Sequence, residues 1–152
     1  MAKMLSPNFS LDELVFSQTA ARLGIDNTPD AQVLKNLKHL ASQLELVRSA
    51  LGDVPILISS GYRSDAVNIA VGGAAGSQHR SGLAVDFTAP RFGTVLQTAK
   101  AVAACGLPFD QVIYEFGKWV HLGVAAPDTQ AKGQTLSIMV AGQYVGGLKN
   151  LA

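Results

Sequence analysis

The stretch SQHRSGLAVD, residues 77–86, places a histidine and an aspartate close together in a weakly charged chain. Imidazole nitrogen and carboxylate oxygen are donor atoms that zinc takes in catalytic sites, where a fourth position stays open for water. His121, in WVHLG, could complete a set of two imidazoles and one carboxylate with His79 and Asp86. Spacing alone leaves both metal binding and ordinary packing open, because a single histidine is more often packed or exposed than a ligand.

The alternation in LAVDF predicts how a strand would present the aspartate. Three large apolar residues share one face of that strand: Leu83, Val85 and Phe87. Asp86 lies on the opposite face beside Ala84, whose small side chain leaves space for a ligand. Gly82 allows the chain to turn, so that His79 can fold back toward the carboxylate.

Four segments carry helical signals: 10–24, 28–52, 64–71 and 92–106. Ser10 and Glu13 have the spacing of a capping box, which predicts a short helix closed by Gly24. Thr28 is the predicted N-cap of the longest helix, whose apolar residues recur at helical spacing up to Gly52.

Five runs have the character of strands: 56–58, 83–87, 109–116, 118–125 and 135–148. The first is predicted to be a buried strand, the third and fourth form a hairpin across Gly117, and the last contains a further small hairpin. Helices and strands segregate along the chain, which predicts an α+β fold with a central, mainly antiparallel sheet flanked by helices. We expect one domain over 1–152, with a core of about 8–125 and a C-terminal extension over 126–152.

The composition of the chain limits the kinds of partner that we expect. The net charge is +1 and the basic residues are scattered, so neither a nucleic acid nor a membrane surface is expected as a partner. No run approaches the ~20 apolar residues of a membrane span, and the N-terminal MAKMLSPNFSLDELVF lacks the pattern of a secretory signal peptide. Cys105 lies in an apolar stretch and is expected to be a buried helix residue rather than a nucleophile. A monomer is expected.

The motifs also carry a resemblance. SQHRSGLAVD resembles the Ser-x-His-x-x-Gly-x-Ala-x-Asp signature of the zinc D-alanyl-D-alanine peptidase family, which includes the vancomycin-resistance dipeptidases and many bacteriophage peptidoglycan endopeptidases. SGYRS precedes it and WVH follows it in the family's order, and the likeness is greatest to the phage and prophage branch. The resemblance implies a fold like that of hedgehog and D,D-peptidase domains. It also implies Zn²⁺ held by His79, Asp86 and His121, and the peptidoglycan stem peptide as substrate.

The resemblance further implies catalytic roles. A metal of this kind lowers the pKa of water to ~7 and polarises the scissile carbonyl, so a carboxylate must take up the water's proton. Glu115 is the predicted base, and Asp110 is the alternative. Arg63 matches the family's arginine and would bind the substrate and stabilise the oxyanion, while Ser77 would hydrogen-bond the substrate backbone or simply close the loop. In the dipeptidase branch the catalytic glutamate lies three residues before the last histidine, where this chain has Lys118.

The Glu115 prediction depends on the length of a loop. A two-residue turn at Gly117 and Lys118 would point Glu115 away from the face of His121. A three-residue loop that also includes Phe116 would pair Glu115 with Trp119, on the face of His121.

Two classes of function follow. The first is a zinc peptidase of the stem peptide, either a lysin-type endopeptidase of a phage or prophage or a D,D-carboxypeptidase. The second is a non-catalytic zinc module that binds the cell wall or builds a virion. Without an export signal, the chain is expected in the host cytoplasm before its release to the wall, or in a virion.

Overall fold

The computed structural model describes residues 3–151, which fold into a mixed sheet with helices packed on it. The helices within that range are α1 Leu11–Val15, α2 Gln18–Leu23, α3 Ala31–Ala50, α4 Asp65–Ala70 and α5 Val95–Ala104. The strands are β1 Met4–Ser6, β2 Phe9–Ser10, β3 Leu57–Ser60, β4 Ala84–Thr88, β5 Phe109–Glu115, β6 Trp119–Val124, β7 Gln134–Ile138 and β8 Tyr144–Gly146. The predicted α+β fold is therefore confirmed.

Six of these strands form the main sheet in the order β3-β4-β6-β5-β7-β8. All neighbouring pairs are antiparallel except β5 and β7, which run parallel. The sheet is thus mainly antiparallel, as predicted. Strands β5 and β6 form the predicted hairpin, and β7 and β8 form a second one at the sheet's edge.

The hydrophobic core lies between one face of this sheet and the helices. The long helix α3 contributes a buried stripe at helical spacing: Val33, Leu37, Leu40, Ala41, Leu44 and Val47. The central strands contribute alternate residues to the same core: Val85, Phe87, Val112, Tyr114, Val120, Leu122 and Val124. Because side chains alternate across a strand, the intervening residues of β4, β5 and β6 point to the other face of the sheet. No helix within residues 3–151 is long and apolar enough to cross a membrane.

The structure corrects two helix boundaries. The segment 10–24 is two helices rather than one, because Phe16 adopts an extended conformation after α1 and Ser17 caps α2 anew. The long helix begins after Asp30, whose carboxylate accepts the amide of Val33, so Asp30 and not Thr28 is the N-cap. A carboxylate in this position also complements the positive end of the helix dipole.

Two predictions of burial were also wrong in part. The run at 56–58 contributes Leu57 and Ile58 to the edge strand β3, and Ile58 packs on the core, but Leu57 is 53% exposed because its side chain points to the opposite face of the sheet. Cys105 is half-buried at the C-terminal cap of α5, where its backbone amide bonds Val102.

Candidate metal centre

Strands β4 and β6 hold two of the three predicted ligands side by side. Asp86 lies directly opposite His121 in their antiparallel register, so both side chains occupy the sheet face turned away from the core. Nδ1 of His121 lies 3.0 Å from Oδ1 of Asp86, and both side chains are buried. The alternation in LAVDF therefore places the carboxylate as predicted.

The third residue reaches the site from a loop. A 3₁₀ turn at Gln78–Ser81 carries His79, and Gly82 follows it in the left-handed conformation (φ 76°), which makes the predicted turn. The Nδ1–H of His79 donates to the backbone oxygen of Gly61, 2.7 Å away. That bond fixes the tautomer, because a carbonyl oxygen can only accept.

In the neutral imidazole, this tautomer leaves Nε2 of His79 as an acceptor. This atom is buried, has no hydrogen-bond partner within the part of the chain that the structure describes, and lies 3.3 Å from Oδ1 of Asp86. With the imidazole neutral both atoms can only accept, so positive charge between them, a metal ion or a proton on Nε2, makes their close approach favourable. A buried nitrogen acceptor without a hydrogen-bond partner fits a metal ion bound at this position.

The donor set also fits zinc in its dimensions. One ligand atom from each of His79, Asp86 and His121 lies within 4.8 Å of the other two. Tetrahedral bonds of about 2.0–2.2 Å separate neighbouring donors by roughly 3.4 Å. The separations of the imidazole nitrogens from Oδ1 of Asp86, 3.0 Å for His121 and 3.3 Å for His79, lie close to that value.

The charges of the cluster are strongly coupled. Burial by itself would raise the pKa of Asp86, but the imidazoles of His121 and His79 beside it lower that pKa well below its usual range. Burial would likewise lower the pKa of His121, but the hydrogen bond and the charge of Asp86 outweigh it and raise the pKa. The site therefore favours a carboxylate that faces positive charge.

Arg63 stands over the same carboxylate. Its Nη2 lies 3.6 Å from Oδ2 of Asp86, and its Nη1 donates to Oδ1 of Asn68 at 3.2 Å. Its Nε lies at a longer 3.4 Å from the hydroxyl of Ser60. The guanidinium is therefore held in one orientation beside the three candidate ligands.

The loop between β5 and β6 has three residues, so it satisfies the condition that the Glu115 prediction set. Glu115 pairs with Trp119, and Phe116 (φ 58°) and Gly117 (φ 67°) both adopt the left-handed region that makes this loop possible. Glu115 consequently lies on the face of His121. Its Oε1 accepts the indole N–H of Trp119 at 2.7 Å.

The environment of Glu115 suits a proton acceptor. Burial raises the pKa of this carboxyl, and the charge of Asp86 adds to the rise, while the charge of His121 and the hydrogen bond from Trp119 act in the opposite direction. The net pKa is above the usual value for a glutamate. A carboxylate of raised pKa holds a proton more readily, as a general base must.

Asp110 and Ser77 have structural partners. Both carboxylate oxygens of Asp110 accept hydrogen bonds, one from the side chain of Gln78 and one from the backbone of Lys132. The hydroxyl of Ser77 accepts the amide of His79 at 3.3 Å and so caps the 3₁₀ turn, although Ser77 also lines the cavity beside the site. These contacts favour Glu115 over Asp110 as the base.

Several supporting residues were missed by sequence reasoning. Gln78 lies over Gly123, where a Cβ would overlap its side chain, and it bonds the backbone of Val124. Asn68 joins Arg63 to the loop at Ala74. Trp119 could have been found from the sequence, because it lies two residues before His121 on a strand and so shares its face. No sequence pattern indicated the roles of the Gln78 and Asn68 amides.

Two cavities meet at the centre. The larger, about 840 Å³, is lined at its inner end by His79, His121 and Glu115, and the smaller, about 340 Å³, is lined by Asp86, Trp119 and Phe16. Both include Arg63 in their walls, and both are partly open to solvent. A ligand can therefore reach the centre from two sides.

Two imidazoles, a carboxylate and an arginine at the junction of two open cavities are the arrangement of a metal-dependent hydrolase. Comparison with known families identifies it more narrowly, because the family described as Peptidase M15 matches residues 7–123. The chain therefore belongs to the Peptidase M15 family, and it is a metallopeptidase with zinc as cofactor, as its motifs predicted. No curated protein matches the chain.

Proposed function

We propose that this protein is a zinc-dependent peptidoglycan hydrolase that cleaves a peptide bond within the stem peptide, with His79, Asp86 and His121 as the zinc ligands. The observation that carries the proposal is the buried Nε2 of His79, which has no hydrogen-bond partner within residues 3–151 and lies 3.3 Å from the carboxylate of Asp86. Zinc in this position would polarise the scissile carbonyl and lower the pKa of the attacking water.

The remaining chemistry belongs to the protein's own side chains. Glu115 takes the proton of the attacking water and passes it to the departing amine. The indole of Trp119 holds the Glu115 carboxylate through the bond at 2.7 Å. Arg63 offers fixed N–H donors to the carbonyl oxygen as negative charge develops on it, and Asn68 keeps those donors in place.

The two cavities favour an endopeptidase over a D,D-carboxypeptidase. A carboxypeptidase needs room for only one or two residues beyond the scissile bond and a cation for the terminal carboxylate. Here cavities of about 840 and 340 Å³ lie on the two sides of the centre, and Arg63 is the sole lysine or arginine that lines either within residues 3–151. The mechanism assigns Arg63 to the scissile carbonyl, so among the described residues neither cavity holds a second lysine or arginine for a terminal carboxylate, and an extended chain that continues in both directions fits better.

The alternative is a non-catalytic zinc module. A purely structural zinc site is usually closed by four protein ligands, whereas this one has three candidate ligands among the described residues and opens to two cavities. Glu115 beside the open side also favours catalysis. The likeness of the motifs to the phage and prophage branch supports a lysin or a tail-borne enzyme as the biological setting.

Digestion of purified peptidoglycan, followed by mass spectrometry of the soluble products, tests this proposal. We expect zinc-loaded protein to release fragments with one new amino terminus and one new carboxyl terminus within the stem peptide, and Glu115→Gln to release none above background. Loss of a single terminal residue would identify a carboxypeptidase. Binding to peptidoglycan with no product at any zinc concentration would identify the non-catalytic module.

A further inference from the structure

The C-terminal hairpin β7–β8 lies beyond the family match, which ends at residue 123, yet it is joined firmly to the catalytic sheet. Strand β7 pairs in parallel with β5, the strand that carries Glu115. The amide of Phe116 bonds the oxygen of Ile138 at 2.8 Å, and the hydroxyl of Tyr114 bonds Asn150 at 3.1 Å. The hairpin is therefore held in a fixed position relative to the metal centre.

The strand register extends the face of the metal centre onto this hairpin. One row of paired residues crosses the sheet from β4 to β8: Asp86, His121, Ile113, Leu136 and Gly146. The next row runs Trp119, Glu115, Ile138 and Tyr144. Paired residues share a face, so the hairpin presents Leu136 and Tyr144 to the side of the sheet that holds His121 and Glu115.

The hairpin forms the outer wall of the larger cavity. Four of its residues line that cavity: Gln134, Leu136, Ala141 and Tyr144. Three strand spacings of about 4.8 Å separate β6 from β8, so the floor extends roughly 14 Å from His121 to the outer strand. At ~3.4 Å per residue, that length accommodates about four residues of an extended peptide.

The chemistry of this wall is neutral. Residues 134–148 contain no Asp, Glu, Lys or Arg, whereas the charged groups that line the cavity, Arg63 and Glu115, lie at its inner end. Gln111 donates to Gln134 across the two strands at 2.8 Å, and the pair still offers a donor and an acceptor to a ligand. Tyr144 is 53% exposed, so its ring and hydroxyl are available at the cavity wall.

We propose that the β7–β8 hairpin is a substrate-binding element that takes an uncharged stretch of peptide on one side of the scissile bond, with Tyr144 in direct contact with it. The ring of Tyr144 packs on small apolar side chains of that stretch, and the Gln111–Gln134 pair meets its backbone amides. A carboxylate or ammonium group in this part of the cavity would lose water without gaining a partner of opposite charge. This inference rests on the proposed function, because it assumes a peptide substrate cleaved at the zinc centre.

Synthetic peptides test the inference once mass spectrometry has identified the bond. Each peptide keeps the residues of the scissile bond and carries alanine, glutamate or lysine two to four positions away, on either side. We expect wild-type protein to show a kcat/KM about tenfold higher for alanine than for glutamate or lysine on one side only. We expect Tyr144→Ala to lose about tenfold in kcat/KM for the alanine peptide and most of that discrimination.

Two further variants separate contact from folding. Val140→Ala changes an exposed residue of the same hairpin that does not line the cavity, so it is expected to match wild type. Tyr144→Phe keeps the ring and is expected to retain most of the preference. Equal discrimination by Tyr144→Ala and Val140→Ala would overturn the inference while leaving the peptidase intact. If wild-type protein cleaves no peptide or peptidoglycan, the proposed function fails, and the inference fails with it.

Discussion

Replacing Glu115 with glutamine separates its chemistry from its structural contact. Glutamine has nearly the same shape, and its side-chain oxygen can still accept the indole N–H of Trp119 that now lies 2.7 Å away. It cannot, however, take up the proton of the attacking water. The variant should therefore fold, keep its zinc ligands in place and lose catalysis.

The expected magnitudes differ enough to be separated. Loss of the charge weakens the bond to Trp119 by about 1 kcal/mol, and relief of the buried charge acts in the opposite direction, so the free energy of unfolding should change by ~1 kcal/mol or less. For a domain of this size that is a shift of about 2–4 °C in Tm. Loss of a general base lowers the rate by ~10²–10⁴-fold, which corresponds to about 2.7–5.4 kcal/mol in the activation barrier.

The assay compares kcat on purified muropeptides, zinc content and Tm for wild type and Glu115→Gln. We expect full zinc occupancy, nearly unchanged Tm and a rate at least ~10²-fold lower. Cleavage within a fewfold of wild type would refute the role of Glu115. Loss of zinc together with activity would show instead that Glu115 supports the metal rather than the proton transfer.

Three further predictions concern its neighbours. Trp119→Phe removes a hydrogen bond that lowers the pKa of Glu115, so the pKa of Glu115 should rise. Because the base acts when ionised, the acidic limb of the pH profile of kcat/KM should move to higher pH. An acidic limb at the wild-type position would contradict this prediction. Asp86→Ala should weaken zinc binding by more than the ~10–100-fold that is typical when a residue that only hydrogen-bonds a zinc ligand is replaced. Competition with a chelator measures the affinity, and circular dichroism should still show the α+β fold. Arg63→Lys should keep zinc but lose activity, since lysine cannot reproduce the fixed planar donors; wild-type turnover would restrict Arg63 to holding the loop.

Much of the candidate centre could be predicted from local pattern. The period of two in LAVDF places Asp86 opposite the apolar face, and Gly82 marks the turn that returns His79, because both features depend on backbone geometry over a few residues. The same applies to the capping box at Ser10 and to the buried stripe of α3. The order of SGYRS, SQHRSGLAVD and WVH was also enough to indicate the family.

Other features depended on contacts between distant parts of the chain. Whether β3 is buried depends on its place in the order of strands in the main sheet. The sequence at 56–58 does not distinguish a strand at the edge of the sheet from one at its centre. The length of the loop at Gly117 could not be chosen in advance, because Phe116 must adopt a left-handed conformation that an aromatic residue rarely takes. That choice is supported by the amide of Phe116, which bonds Ile138 on a strand from outside the hairpin.

What the sequence determined by itself is the set of reactive side chains, because residue type and short-range period settle which groups face a common side. Only the tertiary structure decided that Glu115 shares that side and that β7 and β8 continue it. Pairing between strands that are distant in the sequence depends on many backbone hydrogen bonds together and on the packing of a whole sheet face. A short stretch of sequence includes only a small part of these interactions, so it cannot specify the pairing.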